Sequence, residues 1–126
     1  MATLRAVLAG LMLLLAIGAC RSKGTETTMP EPDTPVLVQV ENHYLGDVVI
    51  YLVRGSQRQR LGMVTALSSA EYSFPWRRVA GSSINRLLAH PIAGSPYASD
   101  PLQIQPGQWI KWTLESDLRR SSMAVY

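Results

Sequence analysis

Asp47 to Arg54 reads Asp-Val-Val-Ile-Tyr-Leu-Val-Arg, and the reading of this run decides the fold. It is dense in β-branched and aromatic side chains, which favour a pleated strand, and it is short for a helix. A continuous apolar run of this length is the pattern expected of a central strand covered on both faces. Gly55-Ser56-Gln57 follows as a hairpin turn. Arg58 to Val64 then forms the returning strand, with Leu61 and Met63 expected inward and Arg58 and Arg60 outward.

Upstream, Val36, Val38 and Val40 alternate with Leu37, Gln39 and Glu41, the period of a half-buried strand that ends at Asn42. Downstream, Glu71 to Phe74 makes a short strand stopped by Pro75. Ile84 to His90 suits either one helical turn or a strand, and its shortness before Pro91 favours the strand. Leu102 to Gln105 and Gln108 to Leu114 flank the turn dipeptide Pro106-Gly107. In the last run Ile110, Trp112 and Leu114 share one face, while Trp109, Lys111 and Thr113 share the other.

About seven strands spaced by roughly ten residues, with no amphipathic helix between them, predict an all-β chain. The expected architecture is a small antiparallel β-sandwich with Greek-key connections. It is immunoglobulin-like in architecture only, because the Cys…Trp…Cys pattern is missing; a small β-barrel is the alternative. The domain is expected over residues 36–115, with residues 116–126, polar until Met123, as a loose tail. A unit of this size buries about 60–65% of its unfolded surface, enough for one small core and little room for a deep catalytic pocket.

The first twenty residues have a different character. Arg5 is followed by Ala6 to Ala16, an almost purely apolar stretch shorter than the roughly 20 residues a membrane-spanning helix needs. Small residues close it, which is the layout of a secretory leader. The sequence Ile17-Gly18-Ala19-Cys20 resembles the lipobox of bacterial lipoproteins: an aliphatic residue, two small residues, then cysteine. Leu is more usual in the family where Ile17 stands. The resemblance covers the leader alone. It implies cleavage between Ala19 and Cys20, removal of residues 1–19, and transfer of diacylglycerol to the Cys20 thiolate. Each buried methylene contributes about 0.8 kcal/mol, so one acyl chain holds reversibly and the family's two or three hold permanently. Arg21, rather than Asp, follows the cysteine; by the same resemblance the outer membrane, facing the periplasm, is the expected location. Cys20 is also the sole cysteine, so no disulfide forms within the chain.

Residues 20–35 then read as a tether. Arg21 to Pro35 holds four Thr, Gly24 and Pro30, Pro32 and Pro35, with Met29 its single large apolar residue. Such a segment buries too little to offset its ordering entropy and is expected to be a disordered spacer.

Charge and motifs exclude more than they assign. The chain carries a net +3, and Arg5 leaves with the leader, a balance too small to argue for nucleic acid. His43 and His90 have no second ligand at metal spacing. No Gly-x-Ser-x-Gly elbow and no Gly-rich phosphate loop is present. Glu41, Asp47, Glu71, Asp100 and Glu115 stand singly at strand ends or turns. No catalytic residue, metal or cofactor is therefore expected.

One cluster stands apart. Tyr72, Phe74 and Trp76 alternate along the fourth strand, Arg77 and Arg78 follow, and Arg58, Arg60 and Arg86 make the middle of the chain its most basic part. Arginine forks recognise carboxylates and phosphates, and aromatic rings stack on sugars. The competing reading puts the three aromatics in the core and leaves the arginines to keep an edge strand soluble. The sequence thus predicts a lipid-anchored, non-catalytic interaction module with an envelope protein as partner. The alternative is an anionic glycan held by Arg58, Arg60, Trp76, Arg77, Arg78 and Arg86.

Overall fold

The computed structural model describes residues 33–82 and 84–126. The leader, Ala19, Cys20 and the tether as far as residue 32 lie outside the described residues. The folded part is all-β: β1 (Pro35–Asn42), β2 (Val48–Arg54), β3 (Gln57–Val64), β4 (Ser69–Pro75), β5 (Asn85–Pro91), β6 (Tyr97–Ala98), β7 (Trp109–Leu114) and β8 (Ser122–Val125). Two four-stranded sheets, ordered β4-β1-β7-β8 and β3-β2-β5-β6, pack face to face as a sandwich and do not close into a barrel. β4 crosses back from the second sheet to lie beside β1, which gives the Greek-key return.

Alternation in β1 places Val36, Val38 and Val40 in the core, against Ile110, Trp112 and Leu114 of β7 and Phe74 of β4. From the other sheet come Val48, Ile50 and Leu52 of β2, Leu87 and Ala89 of β5, and Val64 of β3. Burying a side chain of this size contributes about 1.5–3 kcal/mol, so these few residues carry the domain. β2 is central, as its composition predicts, but it is covered on one face only. Its outward residues Val49, Tyr51 and Val53 are half-buried by neighbouring side chains rather than by a third layer.

Several expectations need correction. The sandwich is not wholly antiparallel, because β1 and β7 run parallel, with Leu37 opposite Trp109 and Asn42 opposite Leu114. The strands number eight, in keeping with the expected total of about seven. Leu102 to Gln105 makes a single bridge, Asn85 to Leu102, and no ladder; Pro101 and Pro106 bracket it, and Leu102 and Ile104 pack half-buried against the core. The sixth strand is Tyr97–Ala98 instead. Residues 116–126 are not loose. Leu118 plugs the core on a 3-10 turn whose start is capped by Asp117, and β8 pairs with β7 from Thr113 to Ile110. The folded domain also begins earlier than predicted, since Pro35 opens β1 and the Thr34 carbonyl accepts from the Trp76 N–H at 2.9 Å.

β3 departs from strict alternation. Ile50 pairs with Gly62 but Tyr51 pairs with Arg60, so Leu61 is an extra residue in a bulge. The slip turns Val64 inward and leaves Met63, expected inside, 41% exposed. The bulge brings Gly62 under the ring of Tyr72 where β3 and β4 meet at one edge of the sandwich. A Cβ on Gly62 would lie 3.0 Å from Tyr72 Cδ1 and 3.1 Å from its Cζ, so only glycine fits without displacement. Gly62→Ala should therefore lower unfolding stability by about 1–3 kcal/mol, as core overpacking does. Urea denaturation should find the Gly62→Ala/Tyr72→Leu double variant less destabilised than the two single effects added together.

Candidate functional site

The strands run between two ends, and each carries a distinct set of side chains. The chain enters at the start of β1. That pole also holds the β2–β3 hairpin, residues 76–82, the start of β5, the start of β7 and the end of β8. At the opposite tip lie residues 43–47, 65–68 and 92–96.

The six basic and aromatic candidates do not form one site. Arg58 and Arg86 flank Val53 on either side, and Arg60 lies opposite Tyr51, all on the outer face of the β3-β2-β5-β6 sheet. Arg58 Cζ sits 5.0 Å from the centroid of the Tyr51 ring, a cation–π distance, and His90 approaches the same ring at 6.4 Å. Arg86 Nη1 donates to the Ser99 carbonyl at 3.3 Å. No acidic residue occurs in β2, β3, β5 or β6, so this face carries one sign of charge.

Arg77 and Arg78 belong to the chain-entry pole. They occupy a 3-10 turn, Trp76–Arg78, and share a cleft of about 340 Å³ with Arg54, Gln57, Arg58 and Gln59. Arg78 Nη1 donates to Gln59 Oε1 at 2.7 Å, Arg54 donates to the carbonyls of Arg78 and Ala80 at 3.4 Å each, and Arg77 pairs with Asp33. Trp76 joins neither group. It is half-buried against the core, and its indole Nε1 donates to the Ile104 carbonyl at 3.3 Å. Phe74 is buried and Tyr72 half-buried beside it, so the aromatic alternation of β4 records core packing. Burial pushes the Tyr72 hydroxyl up from its ordinary range, with Arg60 partly opposing the shift.

The tip was not legible as a site. Asn42, fully buried at the end of β1, organises it. Its Nδ2 donates to the carbonyls of Gly46 at 3.1 Å and Thr65 at 3.0 Å, and its Oδ1 accepts from the Tyr44 N–H at 2.9 Å. Asp47 Oδ1 accepts from the Ala66 N–H at 3.0 Å, and the Asp47 carbonyl accepts from the Ile92 N–H at 3.1 Å. Three connections are thereby tied together, and apolar side chains stand out from them: Leu45 is 79% exposed, Leu67 66% and Ile92 67%. Tyr44, Leu45, Ala66, Ile92 and Ala93 line a cleft of about 600 Å³. Leu67 has φ of 55°, a left-handed conformation that a branched apolar residue rarely adopts. The available signal was leucine placed inside turns, beside Gly46-Asp47 and between Thr65 and Ser68, where solvent-compatible residues are the rule.

Beside the tip, His43 Nε2 lies 2.9 Å from Glu41 Oε1 and Nδ1 lies 3.5 Å from Glu115 Oε2, with Lys111 Nζ 3.7 Å from Glu41. The hydrogen bond to Glu41, then that to Glu115, holds the imidazole above its ordinary value of 6.5, and His43 in turn lowers Glu41. Among the described residues no three His, Cys, Asp or Glu side chains form a group able to hold a metal ion.

No protein-family model and no curated protein matches the chain. Among solved structures it is similar to a protein from Eubacterium rectale determined by NMR, at 9% sequence identity and a TM-score of 0.45, over 78% of this chain and 92% of that one.

Two outcomes follow from the tip. Asn42→Ala strips donors from two carbonyls and should cost about 1–3 kcal/mol in thermal or urea unfolding. His43, followed by NMR, should titrate above 6.5, and Glu41→Gln should bring its midpoint down. Because the folded value is raised, the pair's contribution is present below the unfolded value near 6.5 and fades as pH rises through the folded one.

Proposed function

We propose that this chain is a lipid-anchored, non-catalytic interaction module of the bacterial cell envelope, held through Cys20 to the periplasmic face of the outer membrane, with its tip presented to a protein partner. One observation carries the reading: the chain enters at one pole, and at the other Leu45, Leu67 and Ile92 stand exposed around a cleft on loops tied together by Asn42 and Asp47. Eight residues of β1 separate the two, roughly 25 Å at strand rise. Apolar residues on braced loops, far from the anchor, have the character of interface anchors, which must be rigid to limit the entropy lost on binding. The left-handed Leu67 fits the same view, since strain of about 1–3 kcal/mol is stored where function requires it.

The test has two parts. Mass spectrometry of the native envelope product should find Cys20 acylated and residues 1–19 removed. Photo-crosslinkers at Leu45 or Ile92 in living cells should capture one protein that crosslinkers at Arg60 and Arg86 do not. Leu67→Gly removes the side chain and the strain together, so it should leave stability equal or raised by about 1 kcal/mol while weakening that capture about tenfold. Capture that is indifferent to Leu67→Gly would count against the tip.

The stacked Arg58 and Tyr51 favour a second reading, an anionic glycan lying across the outer face between Arg58, Arg60 and Arg86, with Tyr51 in place of Trp76 as platform. Titration with acidic envelope polysaccharide separates the two: binding lost in Tyr51→Ala and Arg60→Gln, and unaffected by Leu67→Gly, belongs to this face.

A further inference from the structure

We propose that the chain-entry pole is a membrane-contact surface that binds anionic phospholipid headgroups, and so stands the sandwich upright on the bilayer; this rests on anchoring through Cys20. Two kinds of side chain meet at this pole. On the β3/β4 edge are Arg54, Arg58, Arg77 and Arg78, gathered around one cleft. Arg77 is offset by Asp33, and among the described residues Arg54, Arg58 and Arg78 have no carboxylate partner. Asp100 lies on the far, β6-side edge of the sheet. On the other sheet Trp109, 40% exposed, stacks against exposed Tyr126 with ring centroids 5.2 Å apart, beside exposed Leu37. Ile84, also exposed, precedes β5 at the same end.

Arginine with Trp, Tyr and aliphatic side chains is the composition that settles at a lipid–water interface: the rings sit at headgroup depth and the guanidinium groups pair with phosphates. The chain itself fixes where this surface is held. Twelve residues separate Cys20 from Asp33, so the pole cannot lie further than about 45 Å from the lipid-bearing residue. The tip, a strand length beyond, points away from the bilayer when the pole docks. Each arginine near an anionic surface multiplies the docked population about fivefold at moderate salt, so Arg54 and Arg78 together supply about 25-fold. A free acidic polymer offers the same charges but no apolar layer for Trp109 and Tyr126, and this is why the membrane is the better match.

The test uses the protein purified from its membrane and reconstituted in vesicles of phosphatidylcholine, with or without phosphatidylglycerol. Quenching of tryptophan by nitroxide-labelled lipid is the readout, and Trp109→Phe assigns the signal, because Trp112 is buried and Trp76 is packed against the core. The expected result is Trp109 quenching on phosphatidylglycerol vesicles that falls on neutral vesicles, falls at high salt, and drops about 25-fold in docked population for Arg54→Gln/Arg78→Gln. Equal quenching on both vesicle types, or none, overturns the proposal, as does quenching indifferent to the double variant. The mass of Cys20 reports the anchor separately. If that thiol is bare, coupling the sole cysteine to a maleimide lipid restores the tether, and the pole is tested all the same.

Discussion

β1 is the strand on which the rest of the sandwich depends. Its backbone is shared between two ladders, antiparallel to β4 and parallel to β7, while Val36, Val38 and Val40 fill the centre of the core. A parallel neighbour must start at the same end, so β7 begins at the chain-entry pole and finishes beside Asn42. This in turn lets β8 double back along β7 and close the edge of the sheet. Asn42, last residue of the strand and fully buried, converts the end of a ladder into the brace of two connections, and Asp47 ties in the third. One eight-residue segment therefore sets the core, the polarity of the molecule and the shape of its tip.

Much of this could be read from the residues. Alternating valines placed β1 correctly, the DVVIYLVR run placed β2, and the grouping of Ile110, Trp112 and Leu114 on one face of β7 holds, that face being the buried one. What the sequence hid was non-local. Period-two alternation says which residues face inward but not which strand lies alongside, so a parallel β1–β7 pair looks like an antiparallel one. The bulge at Leu61 shifts the alternation by one position, and Gly62 beside it is its one local sign in Arg58–Val64. β8 escaped notice because its anchors, Leu118 and Met123, are spread through polar sequence and take their order from β7. The candidate face was only half legible: the arginines of β3 and β5 do share a surface, but Tyr51, read as interior, stands at its centre, and Trp76, which the sequence left between platform and core, packs inward.

Charge is distributed as unevenly as shape. The strands of the β3-β2-β5-β6 sheet carry four arginines and no carboxylate, while the other sheet mixes Glu41, Glu71 and Lys111. Burial explains neither, because both inner faces are apolar; the difference lies entirely on the outer surfaces. On the reading proposed above, that leaves three surfaces with separate tasks: a pole for lipid, a tip for a partner, and a basic flank between them. Unpaired arginines along β3 also protect an exposed edge from adding a foreign strand.

The double pairing of β1 has a mechanical side. A protein held by its N-terminal segment and gripped at its far end is pulled along β1, parallel to the strand and across the hydrogen bonds of both ladders at once. Such bonds resist in shear and must break together, unlike those of a hairpin peeled from one end, which break singly. The direction in which the proposed anchoring would load this chain is thus the one in which its sheet is hardest to tear.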